Sequence, residues 1–283
     1  MKDKEEVVLA ARQLDVGYAK CRVLSALSFK IQRGELVGLI GPNGVGKSTL
    51  LKTLRGLIAL QGGQVFLLGE DIQTLRTRAF ALKVAYLQQR LDVTFTYTAR
   101  EIVLAGRYPY LSWWQRESTH DKEIVQASME YTGVASLASR PIHEMSGGQL
   151  QRVLLAKVLA QQTPILFLDE PATGLDLMYQ EEIFRFCREL TRAGKTILIV
   201  IHELSLAARF CSRLLLFANN KLLADGTVQQ VLTDDLLSQA YQIPVRVLEN
   251  PCTGHKEIFT EEQAHDKRRQ QLLHVLLETR DKK

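Results

Sequence analysis

The run Gly41-Pro42-Asn43-Gly44-Val45-Gly46-Lys47-Ser48 constrains this chain more than any other feature, because it fits G-x-x-x-x-G-K-[ST]. It follows the short apolar stretch Glu35–Ile40 and opens a helix-forming stretch that runs to about Arg55. The glycines let the backbone curl with its N–H groups turned inward, a nest for phosphate oxygens. The helix beginning near Lys47 aims its positive end at the same anion. Lys47 adds a full charge for β- and γ-phosphates, Ser48 a hydroxyl for Mg²⁺, and Thr49 a second hydroxyl for phosphate. Asn43, Gly44 and Gly46 complete the candidate phosphate-binding set.

Around this loop the pattern is α/β. Val7 to Arg33 alternates apolar and polar residues and predicts antiparallel strands; Val65–Leu68 and Val84–Leu87 are further strands. From about residue 90 to 161 helical spacing takes over, in Ala99–Ala105, Lys122–Tyr131 and Gly148–Leu159, predicting an inserted helical subdomain. The strand Ile165–Leu168, the helix Tyr179–Arg192 and the strand Thr196–Ile201 then predict a parallel sheet covered by helices. Leu214 to Ala224 reads as a hairpin turning at Asn219-Asn220. The charged tail from Glu261 to Lys283 carries Leu272, Leu273, Val275, Leu276 and Leu277, and reads as a helix packed on its own domain or on a partner.

Composition excludes several classes. With 283 residues, 46% hydrophobic and 24% charged, the chain can bury a sizeable core and is neither disordered nor fibrous. A net charge of +5 spread over this length is an ordinary solvated surface and assigns no function. Cys21, Cys187, Cys211 and Cys252 lack C-x-x-C spacing and read as reduced thiols of a cytosolic protein. The charged start Met1-Lys2-Asp3-Lys4-Glu5-Glu6 lacks a signal-peptide pattern, and no apolar run approaches the ~18 residues of a spanning helix. A transport pathway, if one exists, must lie on another chain.

A second chemical signal is the pair Asp169-Glu170, directly after Ile165–Leu168. Carboxylates at the carboxyl end of a buried parallel strand stand where α/β sheets bind ligands. Asp169 is the candidate holder of Mg²⁺, through water, and Glu170 the candidate base for the water attacking a γ-phosphate.

The motif that narrows the family is Met145-Ser146-Gly147-Gly148-Gln149, followed by Gln151-Arg152. It resembles the signature motif of ATP-binding-cassette (ABC) ATPases, usually LSGGQ; Met145 for Leu conserves volume. A serine hydroxyl, glycine amides and a helix N-terminus form another anion seat, compatible with plain N-capping by Ser146. In the family that seat grips the γ-phosphate of ATP held by the other subunit, so the resemblance implies a head-to-tail homodimer with two ATP at its interface. It also implies that Tyr18 stacks on adenine. Gln89, with Gln88 as a one-residue alternative, would sense Mg²⁺ and the attacking water and link the core to the helical subdomain. Thr173-Gly174-Leu175-Asp176 matches the loop that crosses the dimer interface, although Pro171-Ala172-Thr173 departs from the usual Pro-Thr-Ser. His202 matches the switch histidine on the γ-phosphate, with Glu203 where Asp is commoner. The implied fold is a P-loop NTPase core with a mixed, mainly parallel sheet, an N-terminal antiparallel β subdomain and the inserted α-helical subdomain. The resemblance spans residues 5–250 and leaves 251–283 as a C-terminal extension.

Two further segments, Gly106-Arg107-Tyr108-Pro109 and Tyr241-Gln242-Ile243-Pro244-Val245-Arg246-Val247, resemble ATPase subunits of importers for iron chelates (siderophores, haem) and cobalamin. Trp113-Trp114 could pack within the helical subdomain or face a partner. The implied protein uses ATP and Mg²⁺ and sits peripherally on the cytoplasmic face of the membrane. It serves integral membrane permease subunits and, indirectly, a substrate-binding protein, with no nucleic-acid partner expected. The alternative is a soluble ABC ATPase acting on nucleic acid or ribosomes. Such proteins carry long coiled-coil insertions or a second cassette; this chain has no heptad run and one phosphate loop.

Overall fold

Short runs with no polar positions must be buried on both faces, and such runs form the centre of the computed structural model. It describes residues 6–19, 21–88, 96–112 and 114–260. In chain order the elements are strands β1 (Val7–Tyr18), β2 (Cys21–Gln32) and β3 (Leu36–Ile40), helix α1 (Lys47–Leu54), strands β4 (Gly62–Leu67) and β5 (Glu70–Asp71), helix α2 (Thr77–Ala81), strand β6 (Val84–Leu87), helices α3 (Ala99–Leu104), α4 (Thr119–Tyr131) and α5 (Gly147–Ala160), strand β7 (Ile165–Leu168), helix α6 (Leu177–Arg192), strand β8 (Thr196–Val200), helix α7 (Leu204–Phe210), strands β9 (Arg213–Ala218) and β10 (Lys221–Gly226), helices α8 (Val228–Val231) and α9 (Asp234–Tyr241), and strands β11 (Val245–Glu249) and β12 (Lys256–Thr260).

The main sheet has the order β10-β9-β3-β8-β7-β6, parallel throughout except for β10. Its strands alternate between two cores. Leu36, Ile40, Leu166 and Ile197 pack with Phe184, Cys187 and Phe210 of α6 and α7. Val37, Leu39, Phe167 and Leu198 pack with Leu50 and Leu54 of α1 and with Leu9 and Leu14 of β1. This side is closed by the antiparallel sheet β2-β1-β4-β5. The period of two thus splits each apolar run between two layers.

Helices α3, α4 and α5 enclose a smaller core of their own, with Val103, Val125, Met129, Val153 and Ala156. Helix α5 belongs to both units: Val153, Ala156 and Ala160 face the helical core, while Leu154, Leu155 and Val158 face the sheet. A helix shared in this way is apolar on two sides. Arg107, in the 3₁₀ turn after α3, ties the helical unit together. Its buried guanidinium donates to Asp121 Oδ1 at 2.9 Å, to the Ala160 carbonyl at 2.8 Å and to Gln162 Oε1 at 2.9 Å.

Element ends follow capping chemistry. Helix α4 begins earlier than the periodicity predicts because Ser118 and Asp121 form a capping box. Helix α6 begins before Tyr179 because Asp176 accepts the Tyr179 N–H at 3.0 Å. Strand β4 ends at Leu67 because Leu68 turns to φ +51°. The expected hairpin is β9–β10, with Asn219 and Asn220 both left-handed at φ +48° and +61°. The short elements β5, α2, α7, α8 and α9 lie outside the sequence expectation. Strand β12 pairs with β11 across residue 250, so the start of the expected extension folds back as a hairpin. The tail from residue 261 lies outside the described residues.

Candidate active site

The phosphate loop joins β3 to α1, and its shape depends on two glycines. Gly41 has φ +139°, and a Cβ there would stand 2.2 Å from the Phe217 carbonyl oxygen of β9. Gly46, at φ +111°, precedes the first turn of α1, and its Cβ would meet Val23 Cγ1 at 2.5 Å. Left-handed backbone with no room for a methyl admits only glycine. Lys47 is buried, 4% exposed, and its Nζ donates to the Gly41 carbonyl at 2.6 Å and the Pro42 carbonyl at 2.8 Å. Burial lowers its pKa, opposed by the nearby charges of Glu170 and Asp169.

Strand β7 delivers both predicted carboxylates to this loop. Ser48 Oγ donates to Asp169 Oδ1 at 2.6 Å, and Tyr86 Oη, from the neighbouring β6, donates to Oδ2 at 3.0 Å. Glu170 turns away with φ +50°, a left-handed backbone on a non-glycine residue. Its Oε1 lies 2.5 Å from His202 Nε2 at the end of β8, and its Oε2 accepts from Thr173 Oγ1 at 3.1 Å. A cavity of about 320 Å³ is lined by Asn43, Gly44, Gly46, Lys47, Ser48, Thr49, Glu170 and His202, so one space collects the whole loop set and two of the predicted catalytic residues.

Asp169, buried behind Ser48, does not itself line that space, and two further predicted groups are not in it. Tyr18 is half exposed at the end of β1 and does not line the cavity. Ser146, Gly147, Gly148 and Gln149 form the N-terminus of α5, where Ser146 and Gln149 make a reciprocal capping box. Ser146 and Gly147 are exposed, and none of the four lines the cavity. The two glycines differ. A Cβ on Gly148 would press on the Tyr179 ring at 3.2 Å, whereas on Gly147 it would meet only Leu175 Cδ2, at 4.0 Å. Packing within the chain therefore explains Gly148 and not Gly147. Gln89 and Trp113 lie outside the described residues. Tyr86 escaped the sequence analysis; its one signal is a hydroxyl-bearing ring in the otherwise aliphatic strand Val84–Leu87.

The residues present fit Mg²⁺. Ser48 and Asp169 offer hard oxygen donors within hydrogen-bond distance of each other, and Mg²⁺ takes few protein ligands, completing its shell with water and substrate phosphate. Among the described residues no cluster of three or more His, Cys, Asp or Glu side chains forms a self-sufficient metal site. Nor is any described helix long and apolar enough to cross a membrane.

Comparison with known proteins agrees with this geometry. The family profile described as ABC transporter matches residues 24–173. The iron(3+)-hydroxamate import ATP-binding protein FhuC of Bacillus subtilis is 39% identical over 89% of this chain and 94% of its own length. The hemin import ATP-binding protein HmuV of Nocardia farcinica is 41% identical, covering 88% of each chain. Among solved structures, a chain of an ABC transporter in an inward-facing conformation superposes with a TM-score of 0.80 at 22% identity, over 91% of this chain and 98% of that one. A dimeric ATP-binding cassette holding ADP and phosphate gives a TM-score of 0.70 at 24% identity, over 78% and 98%. These last two share the fold. On its phosphate loop, its acidic strand end, its signature helix and these relatives, the chain belongs to the ABC transporter family, as an ATP-hydrolysing subunit that works with membrane permease subunits.

Proposed function

We propose that two copies of this chain close head to tail around two ATP molecules and so drive import through separate permease subunits. One observation carries the dimer. The N-terminus of α5 is exposed, a Cβ on its Gly147 would meet only Leu175 Cδ2 at 4.0 Å in its own chain, and it does not line the cavity around Lys47. A second copy supplies the missing approach. The exposed Leu177 and Met178 at the start of α6, 72% and 79% accessible, give that contact an apolar component.

In this reading the γ-phosphate draws Lys47 away from the Gly41 and Pro42 carbonyls. Ser48 and Asp169, the latter through water, would hold Mg²⁺, which would supply neutralisation of phosphate charge. Glu170 orients and deprotonates the attacking water, Thr173 fixes its second oxygen, and His202 bridges Glu170 to the phosphate. Tyr18 stacks on adenine. Positioning and electrostatics supply the rate, with no covalent intermediate on the protein. Each signature seat gains contacts only while γ-phosphate is present, so ATP shifts the population toward the closed pair and hydrolysis releases it. The cycle places the protein on the cytoplasmic face of the membrane beside its permease.

The named relatives favour an iron chelate, as a siderophore or haem, as the cargo, and the resemblance of the segments 106–109 and 241–247 adds cobalamin. FhuC and HmuV match this chain almost equally well and carry different cargoes in their names. The ATPase therefore does not choose the cargo, and permease and binding subunits do.

The deciding experiment is Glu170→Gln in the full chain. The variant is expected to bind ATP, elute as a dimer when ATP is present, and lose phosphate release. Phosphate release at the wild-type rate removes Glu170 as the base; a monomer at saturating ATP removes the sandwich.

A further inference from the structure

We propose that Tyr86 is a positioning residue for this reaction: its hydroxyl holds one oxygen of Asp169 so that the other stays aimed at Ser48 and the metal they would share. The inference rests on the ATPase reading above.

A carboxylate offers about four acceptor sites, and it turns about its own bond unless both oxygens are engaged. Asp169 is 2% exposed at the end of β7. Ser48 Oγ engages Oδ1 and Tyr86 Oη engages Oδ2. A cation held by Ser48 would take a lone pair of Oγ and leave its O–H for Oδ1, so the Tyr86 bond to Oδ2 would fix the carboxylate plane from the other side. Charge-assisted bonds of this kind are the stronger class.

Sheet register places the donor. Tyr86 stands opposite Phe167 in the parallel pair β6–β7, and Asp169 lies two residues beyond Phe167 on the same face. The ring packs in the core beside α1, which a phenylalanine would do equally well. The hydroxyl is the part that packing leaves unexplained.

Helix α1 closes the arrangement. Its first turn carries Ser48, and Arg55, directly after its last turn, sets a guanidinium 4.7 Å from the Tyr86 ring centroid. The contacts run Ser48, Asp169, Tyr86, Arg55 and back through one helix. The carboxylate is thereby referenced to the phosphate loop from two directions.

The test is Tyr86→Phe, measured by equilibrium ATP titration in EDTA and across a Mg²⁺ series. The expected result is unchanged ATP affinity in EDTA, with the Mg²⁺ concentration for half-maximal gain in affinity raised about tenfold, as for lost outer-shell partners of metal ligands. In an Asp169→Asn background the same substitution should add nothing, which a double-mutant cycle reads directly. A Mg²⁺ midpoint equal to wild type overturns the proposal. So does a loss of ATP affinity that is equal with and without metal, because that is the mark of a structural role. A wild-type chain that fails to bind ATP overturns instead the reading on which the proposal stands.

Discussion

Glu170 and His202 touch, Oε1 to Nε2 at 2.5 Å, although they follow different strands and stand 32 residues apart in the chain. The parallel pair β7–β8 brings the ends of those strands side by side. The histidine rests on the proposed base. Removing it in His202→Ala should lower turnover about 100-fold, the usual cost of losing one preorganised hydrogen-bonding group aimed at the transition state. ATP affinity should change far less. Steady-state ATPase assays with a nucleotide titration check this, and near-wild-type turnover would remove His202 from the reaction.

The two signature glycines make a sharper pair of predictions. Gly147→Ala meets nothing closer than Leu175 Cδ2 at 4.0 Å, so the variant should melt with the wild type yet lose ATP-dependent dimerisation. Gly148→Ala presses on the Tyr179 ring at 3.2 Å and should lower the melting temperature as well. Thermal unfolding alongside size exclusion separates the two effects. Equal melting losses in both variants would mean that packing alone explains the motif.

Arg107 spreads three hydrogen bonds over Asp121, Ala160 and Gln162, and its guanidinium lies 4.0 Å from the Tyr110 ring centroid. Arg107→Ala leaves the buried Asp121 charge unpaired, and should destabilise the chain by about 3 kcal/mol. Lysine at this position cannot reproduce the planar fork. Urea unfolding of both variants is the measurement, and a loss below about 1 kcal/mol for Arg107→Ala would show that the cluster contributes little.

Acid should act on the same cluster. The Ser118 hydroxyl, more than any other contact, holds the Asp121 pKa down from an ordinary 3.8 to about 2; the Ser118 backbone and Arg107 add to this and burial opposes it. A carboxyl depressed in the folded state stabilises it above the ordinary value, and that contribution fades as pH falls from 3.8 through 2. Asp121→Asn should flatten the stability–pH curve across that window. An unchanged slope would assign the acid sensitivity elsewhere.

The four thiols should divide in pairs. Cys21 and Cys252 are exposed, whereas Cys187 and Cys211 are buried. Burial raises both buried thiols, Cys187 to about 12. A thiol-reactive dye should therefore label two positions in the native protein and four in denaturant. Rapid labelling of all four would mean that the core around α6 and α7 opens readily.

Much of the site was legible before any coordinates, because its motifs are local. Gly41 to Ser48 encodes left-handed backbone and a helix start within a few residues, and Ser146-Gly147-Gly148-Gln149 encodes its own capping box. Asp169-Glu170 directly follows an apolar run that reads as a buried strand, whereas His202, also placed after such a run, is singled out only by its resemblance to the family's switch histidine. Gln89 lies outside the described residues and remains an expectation of the sequence. The double apolar face of α5 was less legible, since its helical period looks the same whether one core or two receive it.

What only the tertiary structure decided are contacts that depend on strand order and register. Tyr86 and Asp169 are 83 residues apart, and nothing near either announces the other. They meet because β6 lies beside β7 with Tyr86 opposite Phe167. A slip of one residue would carry the Tyr86 hydroxyl to the opposite face of the sheet. The chain itself determines the shape of the proposed phosphate loop, since that depends on backbone angles and hydrogen bonds set by adjacent residues. How the carboxylates beside that loop are held depends on which strands become neighbours, and only the packed sheet fixes that.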